Sequence, residues 1–337
     1  MDQSRRNALI AGATMAAAPA VALSQSNIAA PKIVAEEYWA DKNGVRLWVY
    51  RKRLEGAAPT QRLFCVHGSS YSGKTMYDLQ VPDRDYSMMD HFARLGYDVW
   101  TMDHEGYGHS QKTAGNSDVQ SGVDDLKAAM AVVEKAGVTP KLAFFGQSSG
   151  GLRAARFANQ HPEHVEKLAV DAFVWTGEGS PTLAERAKNL PKYQASNRRP
   201  VSREFYASVF TRDHSGAAEP MLGDIVAAEE MKYGDSVPTG TYVDMTTRLP
   251  LVDPLKVLCP MLIIRAEHDG IATDADIVAF YSKLPGADKA MVKISGLAHT
   301  ALLGVNRARF WHVLHSFLNM PARVDLQGEQ RSGAGHA

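Results

Sequence analysis

The sequence predicts an α/β fold, a mostly parallel twisted sheet of about eight strands with helices on both faces, and three observations carry that prediction. Short apolar runs recur along the chain and are too uniformly apolar for strands with one wet face. Segments of helical periodicity lie between them, the alternation from which crossover connections build a parallel sheet. One stretch, 176–249, breaks the rhythm; it is rich in Glu, Arg, Tyr and Met, is more helical than strand-like, and reads as an inserted helical lid.

Taken in order, 33–39 is a weak first strand, followed by strands at 45–50, 63–66, 97–102, 142–145, 168–174, 261–264 and 291–294. A helix is predicted where Val119, Val123, Leu126, Met130 and Val133 recur at three and four residues, with Ser117 and Gln120 as a capping box and Gly137 as the stop. A second runs over 305–320, with Phe310, Val313, Leu314 and Phe317 on one face and Pro321 beyond it. The expected organisation is a core at 33–175 and 250–320, the lid at 176–249, and a polar, disordered tail at 321–337.

Residues 1–25 read as an export leader rather than as part of the fold. Ser4-Arg5-Arg6-Asn7-Ala8-Leu9-Ile10 resembles a twin-arginine signal, and Ala20-Val21-Ala22 supplies a small-residue cleavage site. The alanine-rich stretch 8–23 falls short of the roughly 20 apolar residues that span a bilayer, so a cleaved signal and a periplasmic protein without a stable membrane anchor are expected.

The chain has 337 residues, with Lys plus Arg and Asp plus Glu both at 37. That balance argues against a nucleic-acid surface or a strongly charged substrate channel and favours an uncharged, ester-like ligand. Only Cys65 and Cys259 occur, each in an apolar run; two buried thiols are expected, since a disulfide would need their strands to be neighbours.

The chemistry centres on Gly146-Gln147-Ser148-Ser149-Gly150, directly behind Leu142-Ala143-Phe144-Phe145. A Gly-x-Ser-x-Gly run after a strand predicts a turn so tight that its serine is strained and exposed, with glycines where a side chain would strike the neighbouring strand and helix. Ser148 is thereby a candidate nucleophile. A serine hydroxyl needs a histidine base, and the histidine needs a carboxylate to fix its tautomer. Asp269 follows the run at 261–264, and His299 follows the run at 291–294, so chain order and loop placement both suit a Ser148, Asp269, His299 triad. Glu267 and Asp171 also follow or end strands and are alternative acids.

Two other motifs compete with this reading. Gly68-Ser69-Ser70-Tyr71-Ser72-Gly73-Lys74-Thr75 satisfies the phosphate-loop pattern, with Asp103 as a magnesium-side carboxylate, but Pro82 follows too soon for the required helix and no Asn-Lys-x-Asp motif occurs. His104-Glu105-Gly106-Tyr107-Gly108-His109 is one residue too long for a zinc helix and carries two glycines, so no metal site is expected.

With these motifs the chain resembles the α/β-hydrolase superfamily, in its serine esterase and lipase-like branch, over roughly 33–320 apart from the lid. The resemblance implies that His67-Gly68 opens the oxyanion loop, that the backbone N–H groups of Ser69 and Ser149 face the developing oxyanion, and that His67 is structural. It aligns Asp103-His104-Glu105-Gly106-Tyr107-Gly108-His109-Ser110 with a family turn in which arginine is usual at the position of Glu105. The implied function is hydrolysis of a small to medium apolar carboxylic ester without a cofactor. A carbon–carbon bond hydrolase and a cofactor-free perhydrolase or haloperoxidase use the same scaffold, and a non-catalytic binding module is a remoter reading. Tyr71 and Trp175 are the candidate substrate contacts, and Phe205, Tyr206, Phe210, Met231, Tyr233 and Tyr242 could line a lid cavity. A small-molecule ester is the only partner expected; the oligomeric state stays open.

Overall fold

The computed structural model describes residues 32–324, so the expected leader and all of the expected tail beyond Val324 lie outside the described residues. The strands and helices run in the order β1 (Ile33–Lys42), β2 (Val45–Leu54), β3 (Gln61–Val66), α1 (Gly73–Tyr77), α2 (Met88–Arg94), β4 (Tyr97–Met102), α3 (Val119–Lys135), β5 (Leu142–Gln147), α4 (Ser149–Gln160) and β6 (Val165–Asp171). The chain then leaves the sheet through α5 (Pro181–Ala187), α6 (Leu190–Ala195), β7 (Arg198–Pro200), α7 (Arg203–Ser208), α8 (Leu222–Glu230), β8 (Ser236–Pro238) and α9 (Gly240–Thr247). It returns as β9 (Met261–Ala266), α10 (Asp274–Lys283), β10 (Lys289–Ile294) and α11 (Arg307–Leu318).

Eight strands form one sheet in the order β1-β2-β4-β3-β5-β6-β9-β10. β1 and β2 pair antiparallel, as do β2 and β4, and every other neighbour is parallel. The apolar runs are explained by burial on both faces. In β5, Leu142 and Phe144 join a core with Leu126 and Val133 of α3 and Phe157 of α4. Ala143 and Phe145 join the opposite core with Phe92 of α2 and with Phe310 and Leu314 of α11. The alternation in β3 is the same, with Phe64 and Val66 on one side and Leu63 and Cys65 on the other.

Three local readings are corrected. The cap of α3 is Asp118, whose side chain accepts from the Ser121 N–H, while Ser117 sits outside the helix at φ 50°. β6 stops at Asp171 instead of running to 174, because Ala172 turns to φ 51° and ends the ladder. Cys65 is buried, but Cys259 is half-buried and precedes β9; both are free, and β5 and β6 separate β3 from β9.

The β5–α4 turn shows why its flanking residues are glycine. A Cβ on Gly150 would lie 2.1 Å from the Val66 carbonyl oxygen, and one on Gly146 would lie 2.4 Å from the Gly150 carbonyl oxygen. Both obstacles are backbone and cannot swing aside. Gly150→Ala is therefore expected to cost about 3 kcal/mol or more, at or beyond the upper end of ordinary overpacking. Gly286→Ala, where an added Cβ meets nothing within 4 Å, serves as the control. Urea midpoints of the two variants check this; equal midpoints would overturn it.

Candidate active site

Ser148 occupies the turn between β5 and α4 with φ 56° and ψ −126°, a region L-residues rarely adopt. Its own N–H donates to the Asp171 carbonyl at 2.8 Å, which ties the strained residue to the end of the adjacent strand. Ser148 and His299 are each 6% exposed, so both candidate catalytic residues are buried.

His299 follows β10, and its Nδ1 lies 2.9 Å from Asp269 Oδ1 in the loop after β9. The Ile271 N–H donates to the same Asp269 oxygen at 2.9 Å. Burial opposes the Asp269 charge, but the imidazole, the Ile271 hydrogen bond and nearby Arg265 outweigh it and hold the carboxyl below its ordinary range. Gln147, the residue before Ser148, donates through Nε2 to the His299 carbonyl at 2.9 Å, which locks the histidine loop to the elbow.

The alternative acids are placed elsewhere. Glu267 is exposed and accepts from the Gly296 N–H at 2.8 Å. Asp171 is fully buried, and neither of its carboxyl oxygens has a hydrogen-bond partner among the described residues. Burial, with the neighbouring Asp269 charge, pushes it far above the carboxylate range, so it is a neutral acid behind the charged one.

The loop after β3 presses on the elbow: a Cβ on Gly68 would lie 2.9 Å from the Gln147 carbonyl oxygen and 3.1 Å from Ser148 Cβ. The Ser69 N–H meets no acceptor among the described residues. Ser149 opens α4, so its N–H has no carbonyl one turn back to meet. Ser69 Oγ lies 2.8 Å from Ser149 Oγ and 2.6 Å from Thr241 Oγ1 at the start of α9. His67 is wholly buried; its Nε2 accepts from the His104 N–H at 2.9 Å, which leaves Nδ1–H to donate to the Gly68 carbonyl at 2.8 Å. Burial, helped by His104 and Arg153, keeps its pKa well below the usual histidine value. It is a neutral strut.

Glu105, where the family turn usually has arginine, pairs with Lys42 of β1 at 2.6 Å, and Lys42 also contacts buried Asp125. The cation thus arrives from another strand. His104 Nδ1 meets Asp125 at 2.9 Å and His109 Nδ1 meets Asp103 at 2.9 Å, so the two histidines of the zinc-like run serve different carboxylates.

The phosphate-loop pattern is filled by the protein's own carboxylates. The Gly73 N–H donates to Asp103 at 2.7 Å, and the Ser72 N–H and hydroxyl donate to Glu230 of α8 at 2.9 and 2.7 Å. Lys74 lies over the rings of Trp48 and Tyr50. Two of the backbone donors the pattern would offer a phosphate, Ser72 and Gly73, are thus engaged by carboxylates.

Tyr71 is buried against Tyr206 and Phe210, and Trp175 is tied at the start of the excursion, its N–H to Asp276 and its indole N–H to the Val252 carbonyl. Sequence reasoning missed Asp213, Thr241 and Glu230, all from the β6–β9 excursion. Asp213 brings a carboxylate oxygen to Asp269 and His299, with the three ligand atoms within 4.8 Å of one another. A cation there would compete for the atoms that already join His299 to Asp269.

The family model described as serine aminopeptidase S33, Hydrolase_4, matches residues 84–304. The chain belongs to this hydrolase family. No curated protein matches it. Among solved structures, a bromoperoxidase from Bacillus anthracis is similar at 20% identity, with 84% of this chain and 99% of that chain covered and a TM-score of 0.59. A thermophilic esterase from Thermogutta terrifontis shares 17% identity over 84% of this chain and 98% of its own, with a TM-score of 0.58. The enol-lactonase of Burkholderia xenovorans LB400 shares 17% over 83% and 99%, with a TM-score of 0.58. At these identities the likeness is one of fold. This S33 hydrolase carries the α/β-hydrolase sheet throughout.

Glu230 supplies a pH test. Burial lifts its pKa from 4.5 to about 7 against the hydrogen bonds from Ser72 and Thr75. The folded form thus holds a proton that the unfolded chain has released, and stability falls as pH rises through that window. Relative to Glu230→Gln, the wild type should lose on the order of 3 kcal/mol between pH 4.5 and 7, at about 1.36 kcal/mol per unit. Denaturant titrations at several pH values check it; parallel pH profiles would refute it.

Proposed function

We propose that this chain is a serine hydrolase that cleaves a small to medium carboxylic ester through an acyl-enzyme, with Ser148, His299 and Asp269 as its triad. The observation that carries the reading is the strained Ser148 at the elbow beside the 2.9 Å His299–Asp269 pair. Serine oxygen attacks the carbonyl carbon while His299 Nε2 takes its proton, and the Nδ1–H donated to Asp269 fixes the tautomer and stabilises the imidazolium. The N–H groups of Ser69 and Ser149 receive the oxyanion. His299 then gives the proton to the leaving alcohol, and a water deprotonated by the same nitrogen releases the acid.

No step calls for a metal or organic cofactor. Tyr71 and Trp175 remain the candidate substrate contacts. The twin-arginine-like run Ser4-Arg5-Arg6-Asn7-Ala8-Leu9-Ile10 supports export to the periplasm. The likeness to a bromoperoxidase supports a second reading, in which hydrogen peroxide instead of water intercepts the acyl-enzyme and yields a peracid.

Ser148→Ala should abolish turnover of a p-nitrophenyl ester series and labelling by a fluorophosphonate. Asp269→Asn should lower kcat roughly a thousandfold or more, as expected when the histidine is held in the wrong tautomer. Asp171→Asn replaces an acid already neutral, and its kcat should stay within about threefold. Ser148-independent hydrolysis, or a larger loss from Asp171→Asn than from Asp269→Asn, would sink the assignment. Peracid formation with added peroxide separates the second reading.

A further inference from the structure

Three arginines of the β6–β9 excursion gather around Tyr242, whose phenol, against the effect of burial, they draw down to about 7, so that three guanidinium groups face one phenol and Asp213. Arg186 and Arg212 line a cavity of about 520 Å³ together with Tyr242 and Asp213. Arg199 sits behind Tyr242. The guanidinium carbons of Arg186 and Arg199 each lie 4.2 Å from the Tyr242 ring centre. Arg186 is 9% exposed and Arg199 is 7% exposed, yet neither forms an ion pair among the described residues. The polar contact of Arg186 is a 3.7 Å approach to the Met245 sulfur. Arg199 reaches Ser70 Oγ and leaves its buried Nε without a partner. Arg212 meets Asp213 at 3.3 Å, and Asp213 keeps one buried oxygen unpaired. Glu185, the other acid on the cavity wall, is exposed and paired with Lys188.

Buried charge without a partner is expensive, and a protein that builds it in one place pairs it with something. Guanidinium is the group suited to planar, bidentate recognition of carboxylate. The cluster also adjoins the proposed catalytic groups. Arg199 holds Ser70, next to the oxyanion donor Ser69, and Arg212 holds Asp213, which abuts His299 and Asp269. The cavity has the volume of a site for a small organic molecule.

We propose that Arg186, Arg199 and Arg212 form a carboxylate-binding subsite, so that the substrate is an ester carrying a free carboxylate near the scissile bond. The inference rests on the ester-hydrolase reading and replaces the apolar ligand expected from the net charge of zero with an anionic one. Formal balance over the whole chain hides the asymmetry, because the compensating acids lie elsewhere.

The test compares p-nitrophenyl butyrate with the p-nitrophenyl monoester of glutaric acid at neutral pH. Wild type should favour the carboxylate ester by about tenfold or more in kcat/KM, the scale of one charge-assisted hydrogen bond. In Arg186→Met and Arg212→Met that preference should fall to about one, through KM more than kcat. Free glutarate should inhibit the wild type competitively and raise the Tm of Ser148→Ala, which binds without turnover. A wild type that prefers the neutral ester, with no inhibition and no thermal shift, overturns the subsite while leaving Ser148-dependent hydrolysis standing. If neither ester is cleaved, the ester-hydrolase reading fails, and the glutarate shift in Ser148→Ala still decides the subsite: a shift lost in the Arg186→Met and Arg212→Met backgrounds supports it, and no shift refutes it.

Discussion

Everything in the site hangs on the close approach of three backbones at the β5–α4 elbow. The chain turns within one residue from a central strand into a helix, and Val66 of the neighbouring strand is so near that only hydrogen fits on Gly150. That crowding holds Ser148 at positive φ, and the Ser148 N–H bond to Asp171 keeps it there. The strain of such a backbone is of the order of 1–3 kcal/mol and is borne by the surrounding sheet. Two buried cores, one on each face, provide the rigidity that makes this affordable.

Around that point the electrostatics are arranged by burial as much as by charge. Asp269 and Asp171 end up close together, but one keeps its charge beside His299 while the other, without a hydrogen-bond partner, is neutral. Two carboxyls of the same type are separated by environment alone. His67 and His299 show the same division. His67 is spent on two backbone bonds; His299 commits only Nδ1, to Asp269.

What could be read in the sequence was whatever has a local pattern. Strands buried on both faces announce themselves as apolar runs, and the elbow by its two glycines, and the order of Ser148, Asp269 and His299 follows from the loops after β5, β9 and β10. Boundaries set by one backbone angle were missed, as at Ala172, and so was the choice of Asp118 over Ser117 as a cap. The excursion was least legible. Glu230 meets Ser72 across 158 residues, and Thr241 meets Ser69 across 172, and no periodicity encodes such partnerships. The phosphate-loop pattern failed for a related reason: a motif lists donors without saying which are already engaged.

The excursion therefore does more than connect β6 to β9. Thr241 touches the loop that carries the Ser69 N–H, Glu230 clamps Ser72 a few residues on, and Arg199 holds Ser70 between them. Shuffling this segment between relatives, a usual route to new specificity, would strip three supports from the loop after β3 at one stroke. A chimera that borrows a new segment here must bring matching residues at 69, 70 and 72, or its loss of activity will be mistaken for a poor fit of substrate.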